Sequence, residues 1–287
     1  MKAIRHMMQQ QSDEEAEALV LTELAVQPSV RDVGPVNWRG FFTLTAKETH
    51  RFLKIAGQTI LSPLVMTLLF YAVFAMGMQG GHKIASVPFL HFVVPGLIMM
   101  AMAPSAFTNT ASSLILSKVQ GNIVDVLMPP LSPMELTMGF AVSGLIRGLL
   151  VGAVTYGVLA LLTEIPIHNV WFILYFAVMG SMMLSLIGVI TGVWGDKFDH
   201  MGSVQNFLIM PATFLSGTFF SVTSLPQEWR FVCFMNPFFY MIDGFRYGFI
   251  GIHEGNLIGG MAILLLINMA LLHVAYWMFA HGTGLKS

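Results

Sequence analysis

With 287 residues, mean hydropathy +0.72, 55% hydrophobic and only 10% charged residues, and 22 methionines, the chain holds more apolar side chains than a soluble domain can hide; lipid must take the surplus. A net charge of −1 argues against nucleic acid as a partner. A lone cysteine, Cys233, excludes an intrachain disulfide, and without Cys/His clusters neither a structural zinc site nor any other metal site is expected.

Of the 29 charged residues, 14 lie in the first 54, and this region divides in two. Residues 1–35 are polar, carry the acidic run Asp13, Glu14, Glu15 and Glu17, and are expected to form a mobile tail preceding a transmembrane domain at 36–287. Residues 37–56 are different. Trp38, Phe41, Phe42, Phe52 and Ile55 fall toward one side and Arg39, Lys47, Arg51 and Lys54 toward the other, which predicts a basic amphipathic helix lying at the headgroups. A plain extension of the first span is the other reading.

Beyond Lys54 come uncharged intervals at 55–82, 84–117, 165–195, 200–227 and 255–285, joined by 136–163 if Arg147 is set aside. A hydrocarbon slab about 30 Å thick needs about 20 apolar residues as helix. The intervals therefore predict an all-α polytopic membrane protein with six spans, at 58–78, 89–116, 138–162, 170–192, 203–221 and 257–280. The first apolar interval lies too far into the chain, and is too long, for a cleavable signal peptide. Seven of the 14 Lys/Arg precede the first span; with six crossings Lys118, Lys197 and Lys286 share their side, leaving Lys83, Arg230 and Arg246 opposite. Cations accumulate on the cytoplasmic side, so both termini are expected there.

Between spans two and three runs KVQGNIVDVLMPPLSPMELTMG. A short stretch, Val119 to Met128, precedes Pro129, Pro130 and Pro133, which impose a stiff, extended connection. A short helix held rigidly at the membrane face suits a chain that must receive a push from a soluble partner; an ordinary connector is the alternative.

Span three carries Arg147 beside Gly144, Gly148 and Gly152, each four apart and so stacked on one face where helix backbones can approach closely. Arg147 either snorkels toward the cytoplasm or meets an anionic headgroup on the substrate path. Ser181, Ser185, Gly188 and Gly192 make a similar packing stripe in span four. The pairs Phe107/Thr108 and Phe219/Phe220 either line a path or fill space. Before the last span, EWRFVCFMNPFFYMIDGFRYGFIGIHE is rich in aromatics yet contains Arg230, Asp243 and Arg246, and its longest uncharged run is too short to span. Asn236-Pro237 breaks a helix, which predicts two short re-entrant helices over about 225–250, with Asp243 and Arg246 able to pair on one helical face.

Two of these motifs, KVQGNIVDVLMPPLSPMEL and SLPQEWRFVCFMNPFFYMIDGFRYGFIG, together with PGLIMM at 95–100 and the SGTFFSVTSLP run, resemble the ABC-2 type exporter permeases, in the YadH and NodJ-like branch. The resemblance covers about residues 40–287; the acidic leader departs from it. It implies the ABC-2 (type V exporter-like) fold and a permease subunit of an ATP-driven exporter in a bacterial inner membrane, working as a homodimer with two copies of a separate ATP-binding cassette subunit. It places the coupling helix on Gln120, Gly121, Asn122, Ile123, Val124, Asp125, Val126 and Leu127. It also implies that the N-terminal helix touches the ATPase and that residues 225–250 form helices in the outer leaflet.

No Walker A loop, GxxxxGK[ST], is present; GTGLKS at the C-terminus puts Leu285 where glycine is required. ATP and magnesium are accordingly expected on the partner, and no catalytic residue on this chain. No expected span holds an Asp or Glu at its middle, as proton-coupled transporters usually need, and His91 and His273 read as packing residues. HExxH, paired intramembrane carboxylates and GxSxG are all missing, which argues against an intramembrane enzyme. A secondary transporter or channel working alone remains as the alternative.

Overall fold

The computed structural model describes residues 34, 36–77, 83, 84 and 87–284. The expected mobile tail, 1–35, lies outside the described residues except for Gly34. Among the described residues the regular structure is helical but for a two-stranded antiparallel pair, β1 (Lys83–Ile84) with β2 (Val87–Pro88), in register Ile84 with Val87.

Small polar residues start five of the helices, because their side chains satisfy N–H groups that the first turn leaves free. Asn37 caps α1 (Trp38–Lys54) through Gly40 N at 2.9 Å. Ser132 and Glu135 form a capping box ahead of α5 (Pro133–Leu162), with Pro133 in the first turn. Asn169 caps α6 (Val170–Trp194), Asn236 caps α10 (Pro237–Ile250), and Asn256 caps α11 (Leu257–His281). Gly251 (φ 70°) and Gly282 (φ 62°) end α10 and α11 in the left-handed region that glycine adopts freely.

Five helices among the described residues are long and apolar enough to cross a membrane: α2 (Ala56–Gly77), α3 (Phe89–Val119), α5, α6 and α11. They overlie five of the six expected spans. α3 is the centre, packed on α6 and α5, with 78% of its most apolar window buried against 11% for α2 and 17% for α11. Those two outer helices therefore present most of their apolar surface outward, as lipid-facing or copy-facing helices do.

The remaining expected span, 203–221, takes another form. Helix begins earlier, in α7 (Phe198–Val204), passes through a π-helical turn at Gln205–Ile209, and stops in α8 (Met210–Phe214). Pro211 lacks the N–H that would bond one turn back, and the Met210 N–H reaches Gln205 O, one residue farther than in an α-helix. Residues 215–221 are not helical. Gly217 turns at φ 70°, Ser216 and Thr218 are buried, and the Ser216 and Thr218 hydroxyls both donate to Thr213 O. Gly96 of α3 lies so close to Thr218 that a Cβ there would meet Thr218 O at 2.9 Å.

The bundle has two chemically distinct ends. At one, Leu44 of α1, Ile123 and Val126 of α4 (Ile123–Leu127), Phe140 of α5, Val193 of α6 and Phe279 of α11 share a core. At the other, Phe89 and Phe92 pack with Ile84, Val87 and Phe219, and Val222, Cys233 and Phe239 join α9 (Gln227–Met235) to α10. The glycine faces act as closely packed faces: a Cβ on Gly144 or Gly148 would strike Ala106 of α3 and serines of α6, and one on Gly188 would strike Phe107 O at 2.5 Å.

Candidate functional site

Two features carry chemistry, a surface at one end of the bundle and a cleft beside α3. At the surface, Gly121 turns at φ 75° and starts α4. Ile123 and Val126 go into the core, while Gln120, Gly121, Asn122, Val124 and Asp125 are exposed and Leu127 is half-buried. Val119, Val124 and Met128 leave an apolar strip beside Asp125. The expected coupling residues thus split into a buried pair that anchors the helix and an outward set available to a partner. The loop that follows this helix and the start of α5 are fastened to α1: the Asn37 N–H donates to Glu135 Oε1 at 2.6 Å and Asn37 Nδ2 to Pro130 O at 3.1 Å.

α1 is more deeply docked than an interfacial helix sorted by hydropathy alone. Leu44, Thr45, Glu48 and Phe52 are buried, whereas Trp38 and Phe42 are exposed in an aromatic corner with Phe41. Phe52 is buried while Trp38, at the start of the same helical face, stays exposed, and Ile55 is exposed. Arg39 and Lys47 stay outside, as expected. Arg51 does not: its Nε pairs with Glu48 Oε2 at 2.9 Å and its Nη2 donates to Asn109 O at 2.8 Å, while Ser113 Oγ donates to the same Glu48 oxygen at 2.6 Å. Burying a carboxylate is costly unless it is paired and hydrogen-bonded, and this network meets that requirement.

Arg51 faces a cleft of about 460 Å³ bounded by α2, α3, α5, the π turn and α8. Arg147 lines it too, only 8% exposed and with no hydrogen bond or ion pair among the described residues; its Nε is wholly enclosed. Gln58 and Ser62 of α2, Ser105, Thr108 and Ser112 of α3, and Gln205 of the π turn add polar groups. Met66, Phe70, Leu97 and Phe214 make the apolar part. A pocket of this size with a few convergent polar groups is the ordinary form of a small-molecule site.

The four expected path aromatics and partners separate. Thr108 lines the cleft. Phe107 is fully buried in the main core, because it faces the other side of α3 toward Gly188. Phe219 stacks among Phe70, Phe74 and Phe214 at 5.4–5.8 Å between centroids, and Phe220 packs with the Val222–Phe239 cluster; neither lines the cleft. Gln58, Ser62, Ser105, Ser112 and Gln205 were not singled out from the sequence. The signal was present: Ser105, Thr108 and Ser112 fall three and four apart, one face of a helix.

In the segment before the last helix, Asn236 and Pro237 separate α9 from α10 as expected, and Asn236 Nδ2 also donates to Ala212 O at 2.6 Å. Asp243 and Arg246 do not form the expected ion pair. Asp243 accepts the Glu254 and Gly255 N–H groups, each at 2.9 Å, and Arg246 donates to Phe92 O at 3.0 Å and Gly217 O at 2.6 Å while lying 3.8 Å over the Phe92 ring. Fixed backbone groups outcompete the pairing, and both side chains become staples for α10, the start of α3 and the 217 turn. Glu254 in turn accepts from Ser221 Oγ and, at 2.7 Å, from Val222 N.

Residues 39–250 match the family model described as ABC-2 type transporter. The chain is 33% identical over 253 residues to the inner membrane transport permease YadH of Escherichia coli K12, covering 87% of this chain and 98% of that relative, with the same match to YadH of Shigella flexneri. A more distant relative, the probable multidrug ABC transporter permease YbhS of E. coli K12, is 22% identical over 200 residues, 69% of this chain and 51% of its own length. With its apolar helices, these matches make the protein a multi-pass permease of ABC type in a bacterial inner membrane. The chain belongs to the ABC-2 type transporter family.

Proposed function

We propose that this chain is the membrane half of an ATP-driven exporter, working as a homodimer with two copies of a separate ATP-binding cassette subunit that holds ATP and magnesium. The observation that carries this is α4: one face anchored by Ile123 and Val126, the other exposing Val124 and Asp125, and its following loop tied to α1 by Asn37 and Glu135. A push on α4 or α1 cannot be absorbed locally. It passes through Glu48 and Arg51 to Ser113 and Asn109 of α3, and Asn109 Nδ2 hands it at 3.1 Å to Ser143 of α5. Differential contact between the ATPase states and this surface then selects inward-open or outward-open bundles by alternating access.

Six crossings fit this scheme, with 198–214 as the fifth. α1 and the end of α11 pack in one core, so an even number of passes joins them. The positive-inside bias makes that end cytoplasmic, with the two termini on the same side and α9 and α10 re-entrant on the other. Transported cargo is amphiphilic: a glycolipid, a polysaccharide on a lipid carrier, or a drug, the last in keeping with the name of YbhS.

Co-purification tests the assignment. The full chain should retain an ATP-binding subunit in detergent, and Asp125→Ala or deletion of residues 120–127 should abolish export and coupled ATP hydrolysis while membrane insertion persists. Export by the permease alone in liposomes without ATP, or undiminished export by the deletion, would overturn it.

A further inference from the structure

We infer that the cleft beside α3 is a binding site for an anionic amphiphile, its headgroup held between Arg147 and Arg51. The inference rests on the exporter reading for its biological role and deepens it by naming the class of cargo.

Charge is the first argument. Glu48 is already engaged by Arg51 and Ser113, and no carboxylate lines the cleft, so Arg147 has no counter-ion among the described residues. A buried guanidinium without partners is costly, and the nearby Arg51 charge repels it further. An anion placed between the two cations removes both penalties and can accept the fork of N–H donors that Arg147 leaves unused.

Position is the second. Arg51 bonds Asn109 and the glycines flanking Arg147 press on Ala106, within one turn of α3, and both arginines line the cleft. Thr108 and Ser112 bring hydroxyl groups to that level. From there the cleft runs toward Leu97, and α3 between Leu97 and Ser112 rises about 22 Å. Met66, Phe70, Leu97 and Phe214 furnish that far part. The charged part lies near the midpoints of α3 and α5 and the apolar part runs on toward the end where Phe89 and Phe92 pack, so the cleft separates a headgroup from its chains along the bundle. Arg147 lies about 21 Å along α5 from Pro133, too deep to be read as a residue of the headgroup zone.

Native mass spectrometry of the full chain in detergent tests this, with phosphatidic acid, phosphatidylcholine of the same acyl chains, and inorganic phosphate as probes. Phosphatidic acid should bind about tenfold more tightly than the choline ester. R147Q should bring the two within about twofold, R147K should keep most of the preference, and R39Q, which changes an exposed cation of α1 outside the cleft, should leave it intact. Should R147Q not fold as the wild type, S62F, which fills the cleft from α2 and leaves both cations, should lower the preference instead. Equal affinity for the two lipids, a preference untouched by R147Q or S62F, or one lost in R39Q alone would overturn the site. Displacement of phosphatidic acid by equimolar inorganic phosphate would reduce it to an ion site and overturn the amphiphile. A chain that stimulates its ATPase without any headgroup preference sinks this inference alone. A preference in a chain that recruits no ATPase keeps the site and sinks the exporter reading.

Discussion

Glu135, 98 residues beyond Asn37, joins two helix starts: one carboxylate oxygen accepts the Asn37 N–H at 2.6 Å and the other accepts the Ser132 N–H at 2.7 Å. The first turn of α1 and the first turn of α5 are thus parts of one polar clasp, and the proline-rich loop after α4 runs through it. Displacing any of the three displaces the others.

Glu135→Ala should cost about 1–3 kcal/mol, combining a lost cap with an unpaired Asn37 N–H. Thermal melting in detergent measures it. Beyond stability, the variant should bind the ATP-binding subunit but show weaker transport-coupled hydrolysis, since α1 no longer moves with the loop. Full coupling in a destabilised variant would show that the clasp is only structural.

Glycine substitutions should divide by surroundings. Gly188→Ala places a Cβ 2.5 Å from Phe107 O and against Thr110, so α3 and α6 must separate, at about 1–3 kcal/mol. Gly157→Ala, where nothing lies within 4 Å, should be neutral or stabilising by up to about 1 kcal/mol. Melting curves of the two variants check the contrast.

Arg246→Met should leave Phe92 O and Gly217 O without their donor and cost about 2–4 kcal/mol. Arg246→Lys should recover only part, because an ammonium cannot reproduce two directed guanidinium bonds together with stacking on Phe92. Faster proteolytic cleavage within 215–221 than in the wild type is the local signature to measure.

Cys233 should resist alkylation. It is 1% exposed, and burial first, then the Glu254 charge, push its thiol above the usual range. A raised pKa leaves less thiolate at any given pH below it, so maleimide labelling at pH 8 should be slower than for an exposed cysteine until the protein is unfolded. The wild type then serves as a silent background for single-cysteine mapping of both termini, which tests the cytoplasmic orientation directly.

Span positions, the break at Asn236-Pro237 and the packing roles of Gly144, Gly148 and Gly188 were legible in the sequence. Each follows from a local rule: a helix must outlast the hydrocarbon, proline cannot donate, and small residues admit a neighbouring backbone. The 203–221 interval shows the limit of counting. Counting apolar residues put one straight span there, but Pro211 and Gly217 act on backbone geometry, which hydropathy does not register.

Amphipathic sorting placed Arg51 with the outward cations because charge normally seeks water. Only the assembled bundle supplies Glu48, Ser113 and Asn109 together, and so turns Arg51 inward. The same holds for Asp243 and Arg246, three residues apart yet claimed by backbone groups from distant parts of the chain. Composition and spacing determined that this protein lives in lipid and where its helices run, since the bilayer imposes length and polarity on each segment alone. Which buried charges find partners, and that Arg147 is left without one among the described residues, was decided by tertiary structure, because hydrogen bonds between spans depend on neighbours that no local pattern specifies.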